Sequence, residues 1–529
     1  RFWVRHNLAE SLPFPTPLTW DLWRQFMLGS GGYGRLFRTL GFRPAARVCR
    51  EGFLELIAGR IYADPHRLVE MFCKGYPLRF DEARLRNDPA ALDSSPSTLD
   101  LEQLDPWFLW RWPLVAATLI RARWRTHRQM RVAAQRFETR FVPRLRAAIE
   151  RERQTDLTRL PFDDLIAVFD SRRRWLFDDV APESLLPGTL GVAAWGDLRA
   201  RLDSVLGPID GGNLASRLLS QISDPVARRQ RDCQLWLVAG QVSPAEFLAE
   251  FGHRGPDEMD LSFPRWREWP RDELISQFAA PTGNVPRDVV PAASCDASGL
   301  LRQALRRGGA SCLFEELAES LRLAQCLLPY RALGKHELLR GYELLREVTN
   351  ELSQRVELGA GIHFLCTAEL RQLPSRPELE NVARERRERR RHFRWLNAPP
   401  VITGPDDLDA GRSIRSQVIA KERRLAAAIL SRGLGRGEAL LLTSDHDLAR
   451  VAGAVVIASS LSAGFVPRLA EAAALIVEQG GALSHVAMLA RELAIPAVVL
   501  GNATRVFSQG MQLCVNAESG WIEILEPAV

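Results

Sequence analysis

The sequence predicts a multidomain protein of mixed class, α plus α/β, in which a large, mostly α-helical part precedes a compact α/β domain. Three observations carry this. A chain of 529 residues exceeds what one hydrophobic core organises, since domains average about 150 residues, so two or three folding units are expected. From Leu18 to about Arg153, and again from about Leu300 to Leu358, apolar residues recur at helical spacing, as in Leu54, Ile57 and Ile61 or Phe137, Phe141 and Leu145. After about Ala410 the pattern changes to short apolar runs separated by glycine-bearing turns, Ala439 to Leu442, Ala454 to Ala458, Ala474 to Val477, Ala497 to Leu500 and Ile522 to Leu525, which read as strands.

In order along the chain, Arg1 to Trp23 is an opening segment whose Pro13, Pro15 and Pro17 exclude an interior helix and predict an ordered, extended course. Gly29-Ser30-Gly31-Gly32-Tyr33-Gly34 is a helix break, lacking the lysine that follows in a phosphate-binding glycine loop. From Trp107 to Arg153, Trp107, Trp110, Trp112 and Trp124 interleave with arginines. That predicts an amphipathic helix, broken or started at Pro113, with aromatics inward and arginines solvated; stacking on nucleic-acid bases is the rival reading. Asp257 to Pro291 is proline-rich and loop-like. Arg384 to Arg394 mixes five arginines from Arg386 to Arg391 with Glu385 and Glu388, a solvated helical face leading to Pro399 and Pro400. The expected domains are therefore a helical one at 1–383, a charged linker at 384–410 and the α/β domain at 411–529.

Composition bounds the rest. A hydrophobic fraction of 46% and charged fraction of 25% describe a packed globular protein. No apolar run reaches the roughly 18 residues of a membrane span, so no membrane partner is expected. The first residue is Arg1 and no leader pattern follows, so a secretory signal is not expected, and a fragment of a longer protein is one reading. The eight cysteines are scattered without metal-ligand spacing, which predicts free thiols in the cytoplasm and no metal site. The net charge of +6 comes with only three lysines, Lys74, Lys335 and Lys421, a bias that carries little weight for nucleic-acid binding.

The chemistry concentrates in Ala474 to Leu500, which reads as strand, glycine turn, helix, strand. Gly480 and Gly481 permit a tight turn and close approach of a bulky group. Ser484 is placed to cap the following helix, leaving His485 in the first turn, where free N–H groups and the helix dipole favour an anion. Imidazole is a legitimate covalent nucleophile, and Arg491 could help neutralise a phosphoryl group on it. The competing reading is a histidine that only packs the turn.

This segment resembles the swivelling phosphohistidine domain of PEP-utilising enzymes, shared by pyruvate phosphate dikinase, phosphoenolpyruvate synthase and rifampicin phosphotransferase. The match runs through Gly480, Gly481, Ser484, His485 and Ala487, then Ala490, Arg491 and Glu492, then Ile495 to Val498. Ser431, Gly433, Gly435 and Gly437 resemble the glycine-rich opening strand of the same domain. Ser462 to Pro467 departs from the family's pattern at the partner-docking edge. Further upstream, Asn7, Glu10 and Thr16 to Trp20 are similar to the opening of the acceptor domain of rifampicin phosphotransferase-like proteins. Gly252-His253-Arg254-Gly255-Pro256, Glu258, Asp260 and Pro264 to Glu268, including Arg265, resemble its second block. Arg331 and Lys335 stand where relatives carry arginine and lysine at the same spacing. On a helix they would share a face and could meet the phosphate, or else be two surface cations. Ala332 replaces an acid of the relatives, so no general base is inherited there.

The resemblance implies a dikinase-type phosphotransferase in which His485 carries a phosphoryl group to a small-molecule acceptor, with Gly480, Gly481, Ser484 and Arg491 stabilising the phosphate. Arg331, Lys335, His253, Arg254 and Arg265 are the acceptor-site candidates. ATP and Mg2+ would be held by an ATP-grasp nucleotide-binding domain or subunit, separate or missing, and not by this chain. The alternative is a non-catalytic module that keeps the fold for phosphorylation-responsive binding or regulation.

Overall fold

A computed structural model describes residues 2–87, 89–93, 96–101, 108–219, 221–222, 224–278, 296–396, 398–404, 407, 423–442, 450–458, 469–478, 480–501 and 503–525. Ser462 to Pro467, and most of 405–422, lie outside the described residues. The architecture is α plus α/β, as expected. It divides into two compact units: Arg1–Leu190 with Glu258–Phe263 and Gly334–Ile414, and Gly191–Asp257 with Pro264–Leu333 and Arg415–Val529.

The first unit is helical around a small antiparallel sheet. Strands β1 (Trp3–Arg5), β2 (Leu54–Ile57), β3 (Arg60–Ala63) and β4 (Val401–Ile402) lie in the order β2-β3-β1-β4. Leu54, Ile57 and Ile61, expected on a helix, are instead a hairpin in which Leu54 pairs with Ala63 and Ile57 with Arg60. Its two turn residues, Ala58 (φ 48°) and Gly59 (φ 75°), both adopt the left-handed backbone that a two-residue hairpin turn requires. The three- and four-residue spacings had mimicked a helix because a buried hairpin is apolar on consecutive positions as well. The opening segment is not extended throughout: after β1 a short helix, Leu8–Ser11, precedes the prolines, and an irregular stretch leads from Leu12 to Thr16. A helix then spans Pro17–Met27, with Pro17 at its first turn, where a missing N–H is harmless.

The helix Phe108–Arg136 runs through Pro113 without breaking. Its aromatic placement also differs from expectation: Val115, Thr118, Ala122, Met130 and Ala133 are buried, whereas Trp110, Trp112 and Trp124 face solvent. Phe137, Phe141 and Leu145 are buried on the continuing helical stretch, as their spacing implied. The arginine-rich stretch forms the helix Leu379–Trp395. Arg386 there makes a two-pronged pair with Glu369 at 2.6 and 2.9 Å, and Arg390 Nε donates to the Phe14 carbonyl at 3.1 Å. The first half of the expected 384–410 linker is thus part of the first unit, because its arginines find carboxylates and carbonyls to pair with there.

In the second unit, helices that include Pro225–Val238, Pro244–Phe251 and Arg271–Phe278 bury Phe247, Phe251, Trp266 and Phe278 in one cluster. Ala332 packs on the same cluster, which accounts for an apolar residue at that position. The α/β part has strands β5 (Arg424–Ala426), β6 (Ala428–Ser431), β7 (Leu434–Leu441), β8 (Val455–Ala458), β9 (Ala474–Val477), β10 (Ala497–Val499), β11 (Gln512–Asn516) and β12 (Trp521–Ile524). They form one sheet in the order β5-β12-β11-β7-β8-β9-β10-β6. Strands β7, β8, β9 and β10 are mutually parallel, and the outer pairs are antiparallel. Both faces of β8 and β9 are covered, which is why they read as unbroken apolar runs. Leu475 and Val477 pack with Val486, Leu489 and Ala490 of the helix His485–Glu492. Ala474 and Ile476 pack on the other face with Phe507 and Val515.

Candidate phosphate-carrying site

The parallel neighbours β9 and β10 require a crossover, and the helix His485–Glu492 supplies it. Its N-terminus follows the carboxyl end of β9, the edge where open α/β sheets receive ligands. Gly480 has φ +142°, and a Cβ there would lie 3.0 Å from Ser484 Oγ, so glycine is needed for both backbone and space. Gly481 is outside the positive-φ set; its carbonyl accepts the Ser484 N–H at 2.9 Å and closes the turn. Ser484 is the N-cap: its hydroxyl accepts from the Ala487 N–H at 3.1 Å. His485 is therefore the first helical residue, among backbone N–H groups of which only some have partners, at the positive end of the dipole. Gly435 and Gly437, on the glycine-rich strand β7, sit where a Cβ would meet the backbone carbonyls of Ala473 and Gly453 at 2.0 and 2.2 Å.

Two guanidinium groups converge on the residues just before the histidine. Arg491 Nη2 donates to the Ala482 carbonyl at 2.7 Å and Nη1 to the Leu430 carbonyl at 3.5 Å. Arg331 Nη1 donates to the Leu483 carbonyl. Burial, and then the positive charge of Arg331, hold Arg491 below the ordinary arginine range, down to about 10. Its Nε is buried without a hydrogen-bond partner among the described residues. The arrangement holds two like charges together with only carbonyl dipoles for compensation, which favours an anion between them.

Glu492 contributes what the sequence reading did not assign. Its side chain, 5% exposed, pairs with Arg228 and accepts from the Asp224 N–H at 3.3 Å. This ties the histidine-bearing helix to the start of the helix Pro225–Val238, within the same unit. Asp224 caps that helix, accepting from Val226 and Ala227 N–H groups at 3.0 and 2.9 Å. Burial pushes its carboxyl above the usual range, against the pull of Arg254. The only sequence signal for these contacts was Glu492's place beside Arg491; Asp224 and Arg228 lie some 260 residues away and carried none.

The remaining candidates are distributed. His253, Arg254 and Arg265 are buried in the second unit, where the two motif blocks join: Trp266 N–H donates to the Arg254 carbonyl at 2.8 Å and Arg267 N–H to Gly252 at 3.0 Å. Arg331 and Lys335 do occupy one helix, Tyr330–Arg355, but have different partners. Arg331 belongs to the second unit, whereas Lys335 belongs to the first, where its ammonium lies 3.0 Å from the buried Glu258 carboxylate. Asp260 joins the opening segment to the second block within the first unit, accepting from Thr16 N–H and Thr16 Oγ1, both at 2.8 Å, and from Thr19 Oγ1 at 3.0 Å.

The sheet, parallel at its centre and antiparallel toward both edges, presents a capped helix N-terminus, with two arginine side chains on the carbonyls of the residues that precede it. Residues 451–520 match the family described as PEP-utilising enzyme, mobile domain, and residues 240–284 match the rifampicin phosphotransferase fourth domain. Among curated proteins, the chain is similar to rifampicin phosphotransferase of Bacillus cereus, 24% identical over 303 residues, covering 53% of this chain and 34% of that protein. Rifampicin phosphotransferase of Streptomyces sviceus is 23% identical over 296 residues, with the same 53% and 34% coverage. A probable phosphoenolpyruvate synthase of Staphylothermus marinus is 34% identical over 94 residues, covering 17% of this chain and 11% of that protein. The chain thus spans about a third of the length of the rifampicin phosphotransferases it matches, 34% in both cases. Among solved structures, Thermococcus kodakaraensis aconitase X aligns at 22% identity and TM-score 0.17, covering 20% of this chain and 100% of that one.

Proposed function

We propose that this chain is the acceptor-and-carrier portion of a dikinase-type phosphotransferase, with His485 as the covalent carrier. The observation behind the reading is the pair of guanidinium groups, Arg331 and Arg491, gathered on the Ala482–Leu483 carbonyls immediately before His485. The imidazole attacks phosphorus, forming the N–P bond as the donor's bond to phosphorus breaks and its electron pair leaves with the donor. The acceptor's nucleophile then attacks, the N–P bond breaks, and neutral imidazole is regenerated.

Between these steps the phosphoryl oxygens take the free N–H groups of the first helical turn and draw the two arginines from carbonyl to phosphate. Charge-assisted bonds of that kind are about twice as strong as neutral ones. Ser484 holds the helix start in place, and Glu492 keeps the carrier on the Pro225–Val238 helix for delivery. The donor is ATP with Mg2+ on an ATP-grasp domain or subunit, and the acceptor is a small molecule.

The test uses the chain with labelled ATP and Mg2+, alone and with an ATP-grasp domain supplied from one of the rifampicin phosphotransferases. With the donor domain, His485 is expected to gain acid-labile, base-stable phosphate, and His485→Ala to gain none. Equal labelling of His485→Ala and wild type would refute the reading.

A further inference from the structure

The exposed face of the helix Phe108–Arg136 is a second feature for which the phosphohistidine chemistry has no use. One face meets the core of the first unit through Val115, Ala122, Met130 and Ala133. Trp110, Leu114, Ile120 and Trp124 form another, at 80%, 70%, 70% and 60% exposure. Successive spacings of four, six and four residues keep them on one side, since three or four residues make a turn and six or seven make nearly two. The stripe runs roughly 21 Å at 1.5 Å per residue. An ordinary soluble surface does not string four large apolar side chains along one helix.

Charge identifies the occupant. The helix has 29 residues and no Asp or Glu; apart from His127, its ionisable side chains are all arginines. Arg121 and Arg128 are exposed on the same face as the stripe, with Arg125 at its margin, and the Arg128 guanidinium lies 5.6 Å from the Trp124 ring centroid. Tryptophans near both ends of an aliphatic stripe, flanked by arginines without acids, are the composition of a helix that lies in a lipid interface. Nucleic acid is the weaker fit, because Leu114 and Ile120 at the centre of the stripe offer nothing for a base to stack on.

We infer that this face docks on an anionic lipid surface, the helix lying parallel to it with Trp110, Leu114, Ile120 and Trp124 inserted and the arginines among the headgroups. Among the described residues no helix is long and apolar enough to cross a membrane, so the contact is interfacial. It departs from the expectation of no membrane partner, which rested on the absence of a spanning segment. It stands independently of His485.

The experiment is co-sedimentation of the full chain with phosphatidylcholine vesicles and with mixed phosphatidylcholine and phosphatidylglycerol vesicles, followed also by tryptophan fluorescence. Binding to the anionic vesicles, with a blue shift and loss at high salt, is expected. Combined Trp110→Ser, Leu114→Ser, Ile120→Ser and Trp124→Ser should abolish it with an unchanged unfolding midpoint, since those side chains are exposed. Arg121→Glu with Arg125→Glu and Arg128→Glu should weaken it by at least about a hundredfold, given roughly 1 kcal/mol for each basic residue near such a surface. No binding to either vesicle, or undiminished binding by the stripe variant, overturns the proposal. So does salt-dependent retention of single-stranded RNA, or a dimer broken by the stripe variant, where vesicles are not bound.

Discussion

Two charge clusters, one in each unit, are built in opposite ways. In the first unit, Asp260 is surrounded by donors: Thr16 through both backbone and hydroxyl, the Thr19 hydroxyl, the Ser262 N–H at 2.9 Å, and Arg390 at 3.7 Å. Burial alone would push its carboxyl up, but Arg390 and the hydrogen bonds from Ser262 and Thr16 prevail and hold it below the usual range. In the second unit, Arg491 is half-buried beside another cation and donates to carbonyls, so desolvation and then the Arg331 charge hold its guanidinium below its ordinary range. A charge whose partners are complete is a structural joint. One left with a deficit is the kind expected of a ligand site under the function proposed above.

Removing the joint should have the largest effect. Asp260→Ala leaves Arg390 and the two threonines without their shared acceptor, and is expected to destabilise the first unit by about 3 to 5 kcal/mol, read by denaturant unfolding. The pH dependence has a definite sign. The folded-state value lies below the unfolded one, so Asp260's contribution is complete above the ordinary carboxylate range and is lost as pH falls through the folded-state value. Glu369, held at about 2 mainly by Arg386 against the effect of burial, adds a loss in the same direction between its ordinary range and about 2. Asp260→Ala should therefore flatten the acid limb of the stability profile; an unchanged acid limb would mean that the cluster is not a joint.

Arg491→Ala sharpens the contrast from the other side. It removes a repulsion with Arg331, so the unfolding midpoint should stay level or rise. The phosphorylated form loses a charge-assisted contact of about 1.5 to 3 kcal/mol, so phospho-His485 should be roughly 10- to 100-fold less populated at equilibrium with its donor. A drop in both stability and phosphorylation would make Arg491 a structural residue instead. The smallest effect concerns the end of the same helix, where Ala494 has φ 52° and the Ile495 N–H donates to the Ala490 carbonyl. That left-handed terminus favours glycine, so Ala494→Gly should raise stability by up to about 1 kcal/mol in thermal unfolding without changing phosphorylation.

Local signals in the sequence were sufficient wherever one segment carried the whole message. The strand, turn, helix and strand around His485 were legible because Gly480, Ser484 and the apolar runs of β9 and β10 each act within a few residues. The edge strands Arg424–Ala426 and Ala428–Ser431, and the inner strand Gln512–Asn516, were not singled out, since partly exposed strands lack the unbroken apolar run that marked the centre. The hairpin at Leu54 to Ala63 was misread because spacing alone does not distinguish a buried hairpin from a helix.

What the sequence by itself determined was therefore chemical and local: a histidine opening a capped helix after a glycine turn, with an arginine two turns on. Tertiary structure alone decided the partners. It brought Arg331 to a loop some 150 residues away, turned Glu492 toward Arg228 and Asp224, paired Lys335 with Glu258, and exposed Trp110 and Trp124 on a helix whose pattern placed them inside. The physical reason is the same in each case. Helical and strand periodicity record that a side chain has a face, but which groups lie against that face depends on segments far away in the chain, and charge compensation is settled only there.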